Sequence, residues 1–469
     1  MKILFATDTY FPHVNGTAYF IYRTASELSG RGHQVYVVAP SVNFSNTIFR
    51  QKDGVTVYGV RSFPIIKYPY FRLATVKMSK NKLEKFILEA NPDVVHIQQH
   101  FQIGNEVFKI ARKHNIPVMG TNHFLPENLT HFFHLPSFAE KKLMDYGWKQ
   151  FIKVYKDLSL VTTPTKTAAQ IIKEVGFEKE VVAVSNGIDT KRFSPINNGE
   201  HLRKKLKLKD RKTILFVGRL DKEKRIGMLI LALGEVVKKC DAQLLIVGVG
   251  QRENELKKQA KELGLGDRVI FTGFVSDDDL PNVLALGDVF AIAGVAELQS
   301  IATMEAMATG LPVVATAYKA LPELVHHGKN GYLFGDDYKD AARYLVKILT
   351  NSVLRKKMGR ESLSIIKNHS VEHTLKTFEE LYERAIVLNG QRSDFGSSET
   401  LLRKSMPLGF AFLGALIIFG VVLAGGGDSD VRAYVKHPGA IISKMDEIAD
   451  RNVDRVKVKF NKIEQSLKQ

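Results

Sequence analysis

The 469-residue sequence has a single cysteine, Cys240. One thiol excludes a disulfide framework and any zinc site built on cysteines, and it fits a reducing cytosol. Acidic residues are scarce: 49 Asp and Glu stand against 67 Lys and Arg, a formal charge of +18. That shortage favours an anionic partner, whether nucleic acid, a phosphate-bearing ligand or an anionic membrane. Nucleic acid is disfavoured, because the sequence has no zinc finger, RNA-recognition signature or basic repeat. The first apolar run, Ile3-Leu4-Phe5-Ala6, is too short for a signal peptide, and Asp8 ends it. Disorder is excluded as the main state by 45% apolar and 25% charged residues.

Short apolar runs are what the sequence has instead. Besides 3–6 they include Val35–Val38, Val94–Ile97, Pro117–Gly120 and Leu160–Thr162, with helical patterns over Ile21–Arg31, Lys80–Glu89 and Gln102–Lys113. Such alternation predicts a parallel sheet covered by helices on both faces. Turn signals and a basic run interrupt it between 186 and 212. It then restarts with Thr213–Val217, Gln243–Val247, Val269–Thr272, Val289–Ala293 and Pro312–Ala315. The expected architecture is therefore α/β, with two doubly wound Rossmann-like domains, 1–190 and 191–388, the second closing with a helix over His373–Leu388.

Residues 389–406 read as a polar linker. Residues 407–425 carry no charge. At 1.5 Å per residue they span about 28 Å, the length of a transmembrane helix. The tail 426–469 has apolar residues at Ile441, Ile442, Met445, Ile448 and Val453, a spacing that suits an amphipathic helix.

Four segments could carry chemistry. The richest is Glu297-Leu-Gln-Ser-Ile-Ala-Thr-Met-Glu305, followed by Gly310 and Pro312. Ser300 is placed to cap a helix over 301–309. Its first free N–H groups would suit a phosphate, and the two carboxylates would suit sugar and ribose hydroxyls. Gly218-Arg219 ends an apolar run five residues before Lys224; two cations there could clamp a diphosphate. Asn15-Gly16 lies between the first strand and first helix, where Gly16 would let backbone approach a ligand. It is not part of a Gly-x-Gly-x-x-Gly fingerprint, which weakens a dinucleotide reading. His123 follows a strand in Gly120-Thr-Asn-His-Phe-Leu-Pro-Glu-Asn. Each feature alone also suits an ordinary turn, surface helix or solvated basic face.

Taken in order, these segments, with Asn186-Gly-Ile-Asp189 and Gly248-Val-Gly250, resemble the family-4 retaining glycosyltransferases of GT-B fold over roughly residues 1–388. The opening 8–16 and the 123–128 segment are most similar to bacterial enzymes that glucosylate diacylglycerol. The resemblance implies a sugar nucleotide in the interdomain cleft, mostly on the second domain. Arg219, Lys224 and the N–H groups of Ile301 and Ala302 would hold its diphosphate. Glu305 would bind ribose, Glu297 the sugar hydroxyls, Gly16 the phosphates, and His123 would lie near the transferred sugar. No metal or other cofactor is implied, and the clusters Asp277-Asp278-Asp279 and Asp428/Asp430 do not suit a metal–diphosphate role. Gln299-Ser300 departs from the Phe-Gly of many members, so altered sugar or acceptor contacts are expected there.

Lipid-acceptor members dock their first domain on a membrane. The aromatic and basic stretch 132–156, with Lys141, Lys142, Trp148 and Lys149, suits an anionic headgroup layer, and equally a helix packed on its own domain. The resulting expectation is a cytoplasmic enzyme anchored by 407–425. It would move glucose from UDP-glucose to diacylglycerol or a similar lipid. The alternatives are GDP-mannose with phosphatidylinositol or another lipid-linked or polysaccharide acceptor, and a catalytically silent membrane scaffold.

Overall fold

The computed structural model describes residues 1–11, 16–65, 68–123 and 137–393. Asn15, most of the linker, the apolar segment 407–425 and the tail lie outside the described residues. Among the described residues no helix is long and apolar enough to cross a membrane.

Ten strands belong to the first half: β1 (Lys2–Ala6), β2 (Gln34–Pro40), β3 (Thr47–Arg50), β4 (Thr56–Val60), β5 (Ser62–Ile65), β6 (Tyr68–Ala74), β7 (Val94–Ile97), β8 (Val118–Thr121), β9 (Leu160–Thr163) and β10 (Val181–Ala183). Eight of them form one sheet in the order β10-β9-β8-β7-β1-β2-β4-β3. Every pairing is parallel except β3 with β4 at one edge. The remaining two, β5 and β6, make a separate antiparallel hairpin. The second half has β11 (Lys212–Val217), β12 (Ala242–Val247), β13 (Val269–Gly273), β14 (Val289–Ile292), β15 (Val313–Thr316) and β16 (Gly331–Phe334). These run all parallel in the order β13-β12-β11-β14-β15-β16.

The strand sequences explain this arrangement. Leu244, Leu245 and Ile246 of β12, like Ile3, Leu4 and Phe5 of β1, are fully buried. A strand covered by helices on both faces has no polar side to alternate with. In each sheet the order reverses beside the first strand, between β1 and β7 and between β11 and β14. Loops leaving the C-terminal ends of strands at such a reversal border a crevice. The segments after β1, β11 and β14 carry Asp8, Arg219 and Glu297 respectively.

The two halves pack as one compact unit. Val184 is buried in the core of the first half and Ile188 in that of the second, so the chain crosses at Ser185-Asn186-Gly187. It crosses back at 367–370, after Ile366 and before Leu375. The last helix, Val371–Ser393, therefore does not stay with the second half, as expected from sequence order. Leu375, Phe378, Leu381, Tyr382 and Ala385 are buried with Ile3, Phe5 and Phe20 in the first half's core. This helix also continues to Ser393, five residues past its expected end at Leu388.

Candidate active site

The second half supplies most of the polar groups at the crevice. Gly218 (φ +156°) follows β11 and Gly248 (φ +131°) follows β12. A Cβ on Gly248 would stand 2.0 Å from the Gly218 carbonyl oxygen, so only glycine lets these strand ends touch. The next residues wind through a short 3-10 turn, Lys222–Lys224. That turn carries Lys224 to Glu297, Nζ to Oε1 2.5 Å, with both side chains largely buried. Arg219 instead pairs with Asp221 and, at 2.9 Å, with Glu223, and its side chain is 56% exposed. The two cations expected to act together thus each hold a carboxylate.

After β14 the chain passes Glu297 and enters the helix Ile301–Ala308. The Ser300 hydroxyl accepts from the Thr303 N–H and from the Thr303 hydroxyl. Its oxygen is therefore engaged as the helix cap. The N–H groups of Ile301 and Ala302 have no partner among the described residues, as expected for the first turn of a helix. Gly310, at φ +85°, follows the helix as its left-handed stop.

Glu305 lies one turn further on, buried, and its carboxyl accepts no hydrogen bond among the described residues. Burial pushes its pKa up to about 8, against the opposing pull of Arg192 and Arg23. Neither arginine is distinguishable in the sequence. Arg23 comes from the first helix of the first half, Gly16–Gly30, and Arg192 follows the crossing. Arg192 donates to the Tyr19 hydroxyl at 2.9 Å and to the Asp277 carbonyl. Each partner lies far away in sequence, so no local pattern marks either arginine.

The first half is drier. Asp8 is drawn to the start of the helix Gln102–Lys113, where Oδ1 accepts the Ile103 N–H at 2.9 Å. Among the described residues its other oxygen is buried without a partner, and burial raises its pKa to about 6 despite the backbone N–H groups around it. His123 Nε2 lies 2.8 Å from Gln98 Oε1, and its ring packs on Phe20. A carbonyl oxygen only accepts, so the ring proton sits on Nε2 and Nδ1 is left as an acceptor. Burial lowers the His123 pKa to about 3, which keeps the ring neutral at any physiological pH. Gly16 opens its helix exposed. Asn15 lies outside the described residues.

One sequence expectation is corrected. Trp148 is not a membrane-facing residue: it is 8% exposed and packs edge-on to Phe151 in the first half's core. Lys141, Lys142 and Lys149 on the same helix, Ser137–Tyr155, are exposed. Gln299 was expected to change sugar or acceptor contacts. In the structure both ends of its amide are bonded to the crossing, Oε1 accepting the Asn186 N–H and Nε2 donating to the Ser185 hydroxyl.

This arrangement has relatives. The family profile "Glycosyltransferase Family 4" matches residues 14–192, and "Glycosyl transferases group 1" matches 198–363. The chain is 28% identical to an alpha-monoglucosyldiacylglycerol synthase of Streptococcus pneumoniae, over 86% of this chain and 90% of that one. It is 26% identical to the enzyme of the same name from Acholeplasma laidlawii, over 84% and 99%. It is 25% identical to a GDP-mannose-dependent alpha-mannosyltransferase of Corynebacterium glutamicum, over 71% and 76%. Among solved structures, Anabaena HepE in complex with UDP-glucose superposes with a TM-score of 0.64 at 20% identity, covering 82% of this chain and 99% of that one. The last comparison speaks for the fold alone. With two Rossmann-like sheets meeting at a crevice, and with the two profiles matched in succession over most of its length, the chain belongs to the family-4 glycosyltransferases of GT-B fold.

Proposed function

We propose that the protein is a membrane-associated retaining hexosyltransferase that moves glucose from UDP-glucose to a lipid such as diacylglycerol. One observation carries the donor half of this reading. Among the described residues, a single short helix offers two N–H groups without acceptors and a buried carboxyl without donors. Those groups complement the anionic oxygens and the ribose hydroxyls of a sugar nucleotide. Arg219 and Lys224 would exchange their carboxylate partners for the diphosphate, supplying its countercharge with no metal required. Glu297, released from Lys224, would accept sugar hydroxyls.

Chemistry then follows on one face of the sugar. The acceptor hydroxyl oxygen bonds to C1 as the C1–phosphate bond breaks, and the hydroxyl proton passes to the leaving phosphate oxygen. Cations held at that diphosphate stabilise the charge it gains. His123, neutral, would orient a hydroxyl through Nδ1 rather than transfer a proton.

The acceptor half rests on similarity to the two glucosyldiacylglycerol synthases, which spans nearly the whole length of both relatives. The exposed Lys141, Lys142 and Lys149 would meet anionic headgroups, the halves would lie on the cytoplasmic side, and 407–425 would anchor them. A second reading, GDP-mannose with phosphatidylinositol or another lipid-linked or polysaccharide acceptor, is favoured by the mannosyltransferase relative. The deciding experiment incubates purified full-length protein with UDP- and GDP-sugars and vesicles with or without diacylglycerol. Glycolipid from UDP-glucose alone is the expected product. Product only from GDP-mannose would install the second reading, and inertness towards every donor would remove both.

A further inference from the structure

Gln299 sits between Glu297 and the cap Ser300, yet its side chain leaves the donor side. Its Oε1 accepts the Asn186 N–H at 2.8 Å, and its Nε2 donates to Ser185 Oγ at 3.0 Å. Both partners belong to the first crossing between the halves. Ser185 Oγ also lies 2.9 Å from Nδ1 of His369, which is on the second crossing. The backbones of the two crossings are themselves joined, Ile188 N–H to His369 O and Val371 N–H to Ile188 O.

The crossing is gripped from the other side as well. Arg23 of the first half donates to the carbonyl oxygens of Asn186, at 2.5 Å, and Gly187, at 2.8 Å. Gly187 (φ +73°) has no room for a side chain: a Cβ there would stand 2.9 Å from Thr374 Oγ1. A crossing held this tightly cannot shift without disturbing whatever is bonded to it. Gln299 bonds it to the loop that also carries Glu297 and the start of the helix Ile301–Ala308.

We propose that Gln299 is a positioning residue that ties the donor-side loop to the interdomain crossing, so that filling the donor site and setting the two halves are one event. The assignment rests on reading this loop as the donor side. Phe in its place could fill the same space but could not hold Asn186 and Ser185. Residue 299 would then act through the hinge and not through the sugar.

The test compares full-length wild type with Gln299→Met, an apolar side chain of similar length, by hydrogen exchange and by kinetics. Without ligand, the Asn186 amide should exchange about five- to tenfold faster in the variant, the loss of one hydrogen bond. UDP and GDP are then added separately. The nucleotide that binds wild type should slow exchange across 185–190 there and not in the variant. Nucleotide Kd should stay within about twofold while kcat falls about tenfold, a split that general loss of stability would not produce. Ser185→Ala should reproduce part of the kcat loss, and it should cost less when added to Gln299→Met than it costs alone, the remainder being its bonds to His369 and Gly187. It also serves if the methionine variant does not fold. Unchanged Asn186 exchange, equal protection in both proteins, or parallel losses of affinity and kcat would overturn the proposal. If neither nucleotide binds wild type, the donor reading fails by itself, and exchange without ligand still decides whether Gln299 holds the crossing.

Discussion

Glu305 is a carboxyl placed where charge is expensive. Its pKa of about 8 in the folded chain lies above the ordinary 4.5, so the native state holds a proton that the unfolded state gives up. Stability contributed by this group is therefore complete below about pH 4.5 and declines as pH rises towards 8. Glu305→Gln keeps the shape without the charge. It should raise the melting temperature at about pH 8.5 and leave it nearly unchanged at about pH 4, a difference that calorimetry reads directly. Ribose hydroxyls donating to this carboxyl favour its ionised form. Nucleotide binding near neutral pH should accordingly release a proton, seen as a binding enthalpy that varies with the buffer's ionisation heat. The variant should release none. At the cations, replacing Arg219 or Lys224 with Ala should lower turnover roughly 100- to 1,000-fold. Wild-type rates in both would deny them any part in stabilising the leaving group.

Single elements show what a sequence encodes locally and what it leaves to distant partners. The strands were legible because buried parallel strands are short apolar runs, and β7 spans the residues expected of it, Val94–Ile97. The cap was legible because Ser300 stands directly before a helical stretch that Gly310 and Pro312 close, and its hydroxyl does accept the Thr303 N–H. The β3 edge and the β5–β6 hairpin were not anticipated, since their antiparallel pairing depends on partners rather than on alternating strands and helices. The last helix was expected over His373–Leu388 and runs Val371–Ser393, but a helical pattern does not say which half it packs on. Its actual partner is the first sheet, where the Tyr382 hydroxyl and His96 Nδ1 lie 2.9 Å apart in full burial. Burial keeps His96 neutral, and its Nε2 meets Thr121. Tyr382→Phe would leave the Nδ1 of His96 without its partner and should cost about 1–3 kcal/mol in denaturant unfolding. Arg23, Arg192 and the Gln299 bonds were hidden for the same reason, since each pairs across many residues or across the two halves.

At the scale of the molecule, the described residues close with the helix Val371–Ser393. The family profiles end earlier still, at residue 363. Deleting 403–469 should therefore leave nucleotide affinity unchanged and release the protein from membranes. A truncated protein that loses its nucleotide would make the deleted segment part of the fold. Lys141, Lys142 and Lys149 are retained in that truncation, and salt-sensitive binding to anionic vesicles would isolate their contribution from that of the deleted segment.

The return of the last helix to the first sheet also fixes an order of events during synthesis. When residues 1–190 have left the ribosome, Phe20 and His96 still lack the rings of Phe378 and Tyr382 that pack on them. The earliest domain to be made is thus the last to be sealed, and until some two hundred further residues have emerged its open apolar face is one that a chaperone would hold.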